Sequence, residues 1–244
     1  MTTIPHIRGV LSADEVVESA EHLASLQTAS GMIQWWPGGH SDPWNHVEAA
    51  MALDVAGLHA EAERAYEWLA DIQHADGSWH NYYLADGSRD TTVEESKLDT
   101  NVCAYVATGV WHHWRCTNDR SFVDNLWPTV ERALDWVLSL RRDDGLALWA
   151  IEPNARPWDY ALLTGSSSIQ HALRCGAAVG LATGSPRPDW VEAADVMATV
   201  IACEPTAFEP KDRWAMDWYY PVLTGAISGV EAKIRLADGW PTFA

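Results

Sequence analysis

Phenylalanine is scarce in this 244-residue chain, with three residues against 15 tryptophans. Core filling alone would draw more on phenylalanine, so some of the tryptophan is expected to face a ligand or close loops. Basic residues are few as well, 16 against 34 acidic ones, and the formal net charge is −18. Such a surface repels phosphate backbones and anionic headgroups, which removes nucleic acid and membrane surfaces from the expected partners. No apolar run approaches the roughly 20 residues of a membrane span, so the chain reads as soluble. Cys103, Cys116, Cys175 and Cys203 lie in apolar helical stretches without a C-x-x-C pair, and are expected to be buried free thiols rather than disulfides or zinc ligands. The opening "MTTIPHIRG" lacks the basic and apolar regions of a signal peptide, which with the free thiols points to the cytoplasm.

Strand alternation is missing too, and helical periodicity takes its place. "SADEVVESAEHLASLQ" (12–27) opens on a serine cap and repeats apolar residues every three or four positions, and "NHVEAAMALDVAGL" (45–58) does likewise. Further helices are expected at about 59–75, 100–117, 121–142, 166–182, 188–203 and 222–237, which makes the fold all-α. Connections alternate in length. Turns of a few residues, such as "GLHAE" and "CTNDRS", follow every second helix, and loops of roughly 15–25 residues follow the others. Strict alternation puts all the long loops on one rim of a row of antiparallel helical hairpins. An α/α toroid, or part of one, is the expected form.

The helix exits share a punctuation. "QTASGMIQW" (27–35), "QHADGSW" (73–79) and "RRDDGLALW" (141–149) each place a glycine just past a helix, where a left-handed cap is wanted, and bring in a tryptophan shortly after. The Gln-x-x-x-Gly-x-Trp pattern resembles the repeat of squalene and hopene cyclases. It reads as a device for tying down a helix end, not as chemistry. Neither the D-x-D-D cluster of a triterpene cyclase nor the D-D-x-x-D of a prenyl-diphosphate enzyme is present.

Each long loop ends in acidic and aromatic residues: "WWPGGHSDPWNHVE" (35–48), "EESKLDTNVCAY" (94–105), "RPWDYALLTGSSS" (156–168) and "RWAMDWYYPVLTG" (213–225). The last two read as degenerate copies that pair Asp159 with Asp217. Asp42 and Asp99 stand at helix starts, where an N-cap is the plain alternative to chemistry. Carboxylates converging on one rim, interleaved with aromatic faces, suit a sugar site, since glycoside hydrolysis uses two carboxyl groups across the scissile bond. Asp42 and Asp99 are the foremost catalytic candidates, followed by Glu48 and Asp217. Trp35, Trp36, His40, Trp44, Trp79, Trp158, Asp159, Trp218, Tyr219 and Tyr220 are candidate sugar contacts. His112 and His113 are adjacent and are expected to face different ways, so no metal site is expected, nor any cofactor. "TGSSS" lacks the G-x-S-x-G elbow of a serine nucleophile and reads as a helix cap that could line the cleft.

Taken as a set, "GGHSDPWNHVEAAMAL", "DTNVCAYVATGVWHH", "LTGSSSI" and "MDWYYPVLTGA" resemble an actinobacterial family often labelled prenyltransferase- or squalene-cyclase-like, which includes a mycobacterial methylmannose polysaccharide hydrolase. The resemblance implies an α/α toroid and endo-hydrolysis of a 3-O-methylated α-mannan. A terpene-cyclase-like enzyme and a non-catalytic glycan-binding toroid are the alternatives. A closed toroid has about six hairpins, and four are expected here. The chain is therefore read as one domain that continues past residue 244, with an open end able to associate with a second copy.

Overall fold

The computed structural model describes residues 4–153, 156–211 and 213–244. Its helices are α1 (Ala13–Ser25), α2 (Pro43–Val55), α3 (His59–Ile72), α4 (Thr100–Ala104), α5 (Val106–Thr117), α6 (Arg120–Ser139), α7 (Leu163–Thr183), α8 (Pro188–Cys203), α9 (Ala215–Leu223) and α10 (Gly229–Phe243). Helices α2, α4–α5, α7 and α9 form an inner row in which α2 packs on α5, α5 on α7 and α7 on α9. The others lie outside: α3 packs on α2 and α5, α6 on α5 and α7, α8 on α7, and α10 on α9. Sequence pattern explains the division. The outer α1 and α6 carry one apolar stripe each, whereas α2 and α7 bury residues on most of their circumference, Val47, Ala50, Leu53, Ile169, Leu173 and Val179 among them. The core is one contiguous apolar cluster between the two rows.

Two expectations are corrected. The helix expected at 222–237 is two helices, α9 and α10, because Gly225 adopts φ +75° and the chain reverses before Ser228. The fold is not free of strands either. The long loops pair as β1 (His40–Ser41), β2 (Tyr82–Leu84) and β3 (Thr92–Glu95) in one antiparallel sheet, and as β4 (Leu98–Asp99) with β5 (Ala150–Ile151) in another. Strands of two to four residues are too short to show alternation in sequence.

The repeated punctuation is structural. Gln27 Nε2 donates to Gly31 O at 3.1 Å and to Glu61 O of α3 at 2.9 Å, and Arg64 donates to the Gln27 oxygen at 2.8 Å. Gln73 repeats this with Gly77 O at 3.0 Å, Thr129 O of α6 at 2.9 Å, and Arg132. At the third exit Arg141 Nε donates to Gly145 O at 3.2 Å. In the first two cases one side-chain amide satisfies the loop and stitches it to the next outer helix, which keeps successive hairpins in register.

The far end of the row is held by Asp54, fully buried at the C-terminal end of α2. It lies 2.9 Å from Nδ1 of both His59 and His113, and 3.8 Å from His112. Hydrogen bonds from these imidazoles outweigh burial and lower the Asp54 pKa. The adjacent histidines thus reach one carboxylate, against the expectation that they face apart. Among the described residues no group of three or more His, Cys, Asp or Glu side chains, this one included, is arranged so that it could hold a metal ion. All four cysteines are free, but only Cys103 and Cys175 are buried; Cys116 is half-buried and Cys203 exposed. Among the described residues no helix is long and apolar enough to cross a membrane.

Candidate active site on the rim of the inner helices

The inner helices start on one rim, and each of the first three begins against a carboxylate. Asp42 is the N-cap of α2 and accepts from Asn45 N at 3.0 Å. Its other oxygen accepts from Asn45 Nδ2 at 2.8 Å and from Trp35 Nε1 at 2.8 Å. Asp99 caps α4 through Asn101 N at 3.0 Å and Val102 N at 3.3 Å, and takes the indole N–H of Trp149 at 2.5 Å. Asp42 and Asp99 are therefore built alike, each an N-cap locked by a tryptophan that arrives from a helix exit. Helix α7 has no side-chain cap of its own, and Asp217 supplies one from α9, accepting from Thr164 N at 3.3 Å and Thr164 Oγ1 at 2.5 Å. Sheet pairing closes the rim, since His40 pairs with Leu84, Tyr82 with Glu95, and Asp99 with Ala150.

Asp99 is buried, and burial raises its pKa to about 6, against the pull of Val102 N–H, Lys97, Trp149 and Asn101 N–H. Tyr82 sits among the acids. Burial first, and then the charges of Asp42, Glu95, Glu94 and Asp99, push its phenol pKa up. His40 stacks on Tyr82 with centroids 4.5 Å apart and meets Glu94 at 2.5 Å. Trp35 and Trp36 stand edge-on to one another at 6.3 Å. Across Asp99 a second aromatic wall forms from Trp149, Trp158 and Tyr160, with Trp149 stacked on Tyr160 at 5.5 Å. Lys97 Nζ lies 4.8 Å over Trp149. Asp42 thus stands beside the aromatic group of Trp35, Trp36, His40 and Tyr82, and Asp99 beside that of Trp149, Trp158 and Tyr160.

Other expected site residues sit apart from this centre. Trp79 is 1% exposed and donates to Leu69 O at 2.9 Å, so it is a core residue. Replacing Trp79 with alanine is expected to cost about 3–5 kcal/mol in urea denaturation, with glycan affinity of the folded protein unchanged. Trp44 stacks on Tyr105 at 4.9 Å and donates to Glu48 at 3.1 Å, so one of its faces is already covered. Glu48 is exposed and accepts from Tyr105 Oη at 2.6 Å. Tyr220 is buried and meets Trp44 at 5.8 Å, with its phenol pushed up to about 12 by burial. Tyr219 lies half-buried between Trp218 and Tyr220.

The two loops read as copies differ in conformation. Trp158 and Tyr160 lie in extended chain paired with Ala150 and Trp149, with Asp159 exposed between them, whereas Asp217, Trp218 and Tyr219 are helical. Trp218 packs on α10 rather than the rim centre, donating to Arg235 O at 2.9 Å. Gly239 is inside α10, not at a helix exit, and a Cβ there would meet the Trp218 ring at 2.3 Å. Ser166, Ser167 and Ser168 are buried within α7 and neither cap it nor line the cleft. His46 is buried, takes Ile33 N–H at Nδ1 and reaches Ala65 O through Nε2, and its pKa is lowered to about 4 by burial. Sequence reasoning missed Tyr82, Trp149 and Tyr160. Trp149 was visible as the third exit tryptophan, while "NYYL" (81–84) inside a long loop was the signal for Tyr82.

No family model matches the chain. An MMP endo-(1,4)-3-O-methyl-α-D-mannosidase of Mycolicibacterium hassiacum is 43% identical over 243 residues, which is all of this chain and 66% of that protein. The chain thus spans just under two thirds of the length of this relative. An uncharacterized glycosyl hydrolase of Methanocaldococcus jannaschii is 34% identical over 89 residues, 36% of this chain and 14% of its own length. Among solved structures, a rhamnosidase from Klebsiella oxytoca matches 95% of this chain and 48% of its own at TM-score 0.65 and 11% identity. An unsaturated glucuronyl hydrolase specific for heparin matches 94% and 69% at TM-score 0.64 and 14% identity. All four of these proteins are named as glycoside-cleaving enzymes, and none carries the prenyltransferase or squalene-cyclase label of the sequence resemblance. Over its full length, then, the chain is similar to the methylmannose endo-mannosidase, and its α/α-toroid fold is that of the glucuronyl hydrolase and the rhamnosidase.

Proposed function

We propose that this chain carries the catalytic rim of an endo-acting glycoside hydrolase whose substrate is an α-1,4-linked 3-O-methylmannose polysaccharide. The observation that carries the reading is the matched pair Asp42 and Asp99, each capping an inner helix, each held by an indole N–H, and both acting on the phenol of Tyr82. The 43% identity to the endo-mannosidase supports the choice of substrate. Asp99, with its pKa raised to about 6, holds a proton in weakly acidic solution and donates it to the leaving glycosidic oxygen. Asp42, whose oxygens accept three N–H groups, is the partner carboxylate on the opposite side of the scissile bond. The indoles of Trp36 and Trp158, both substantially exposed, provide flat faces for the C–H side of neighbouring sugars.

Incubation with 3-O-methylmannose oligosaccharides, unmethylated mannans and glucans, followed by mass spectrometry, is expected to show internal cleavage of the methylmannoside. Binding without cleavage would instead identify a glycan-binding module. Trp36 is 51% exposed, so Trp36→Ala is expected to weaken oligosaccharide binding about tenfold by calorimetry while the melting temperature stays the same.

A further inference from the structure

Beyond Asp217, on the same rim, lies a cavity of about 350 Å³ that the two-carboxylate reading does not use. Leu163 at the start of α7, Phe208 and Lys211 in the loop before α9, Asp217 and Trp218 of α9, and Phe243 of α10 bound it. Its walls are mostly apolar and fixed in place. Trp218 stacks on Phe243 at 5.5 Å and 19°, and its indole N–H is tied to Arg235 O. Phe208 is buried and bridges to Ala161 just before α7. Charged groups line it as well: Asp217, whose Oδ1 accepts from Thr164, Arg235, which donates to Trp218 O and Asp217 O, and Lys211, whose Nζ lies 3.9 Å from Glu209.

A chain of contacts joins this cavity to the catalytic pair. Trp149 bonds to Asp99, Tyr160 stacks on Trp149, and Lys211 Nζ lies 5.9 Å from the Tyr160 ring. A polymer that crosses Asp99 and follows these rings arrives at the cavity. The size suits a single ring sugar, being at the small end of ligand pockets. The balance of chemistry suits a particular one. A hexose whose hydroxyls on one edge meet Asp217, Lys211 or Arg235 turns its other edge to Phe208 and Leu163, where a hydroxyl would lack a partner and a methyl ether would be buried favourably.

We infer that this cavity is a distal subsite that receives a methyl-ether-bearing hexopyranose of the polymer being cleaved. The inference rests on the hydrolase reading and adds to it a place where the methyl group is selected. Discrimination of one buried methyl is worth about tenfold or more in specificity. The test compares 3-O-methylmannose oligosaccharides with unmethylated α-1,4-mannose oligosaccharides of equal length, using the full chain, by KM and by calorimetric affinity. The wild type is expected to prefer the methylated series about tenfold. Leu163→Trp, which fills the cavity, is expected to abolish that preference by raising KM for the methylated series to that of the unmethylated one. Should Leu163→Trp not fold, Phe243→Ala removes the opposite wall near the chain end and must also reduce the preference. A preference that survives in a folded cavity variant, or a wild type that cleaves both series equally, would overturn the subsite while leaving the hydrolase reading in place. A wild type that neither binds nor cleaves any mannoside would overturn both.

Discussion

Asp99→Asn is expected to lower hydrolysis of 3-O-methylmannose oligosaccharides by about a hundredfold or more, the typical loss when a general acid is removed. It is also expected to change how stability depends on pH. The folded chain holds the Asp99 proton up to about pH 6, whereas the ordinary carboxyl releases it near 3.8. The stabilisation from that proton is therefore complete below about pH 3.8 and is lost as pH rises through 6, a swing of about 3 kcal/mol. Asparagine does not ionise, so wild type minus variant stability should fall by about that amount between pH 3.8 and pH 7.5 in urea denaturation. Any fixed cost of an amide facing Trp149 is the same at both pH values and cancels in the comparison. The wild-type kcat/KM should decline above pH 6 as the acid ionises. If Asp99→Asn keeps its rate within severalfold and the pH difference is absent, Asp99 is a helix cap and no more.

Gly77→Ala is expected to be among the most destabilising single-methyl changes in the chain, costing about 3 kcal/mol or more. Gly77 adopts φ +101°, and a Cβ there would lie 2.2 Å from Arg132 O and 2.5 Å from its carbonyl carbon, both backbone atoms of α6. Neither can move without shifting a helix that Gln73 also holds. Gly31 repeats the geometry, 2.2 Å from Arg64 O of α3, and should behave the same. Gly87 provides the control. Its φ is +77° but no atom lies within 4 Å of a Cβ, so alanine there should cost only the backbone penalty of about 1–2 kcal/mol. Equal losses at Gly77 and Gly87 would show that close packing of the exits contributes nothing.

Glycine, glutamine and tryptophan at the helix exits were legible because capping is local chemistry, written within a few residues. The same holds for Asp42 and Asp99 as N-caps, and for short against long connections, which oblige the inner helices to start on one rim. What each rim residue faces was another matter. Trp35, Trp79 and Trp149 arrive by similar punctuation, yet Trp79 fills the core while the other two lock carboxylates. Asp159 and Asp217 share a sequence neighbourhood, yet one is exposed in extended chain and the other caps a different helix from 53 residues away.

The sequence by itself determined the helical hairpin architecture and the carboxylates at the starts of the inner helices, because periodicity, caps and loop lengths act between near neighbours. Only the tertiary structure decided that Tyr82 stands among the acids, that burial raises Asp99 to about pH 6, and that Trp218 turns from the rim toward α10. Desolvation and ring stacking depend on which distant segments surround a group. That is set when the helix rows pack, and no local pattern encodes it.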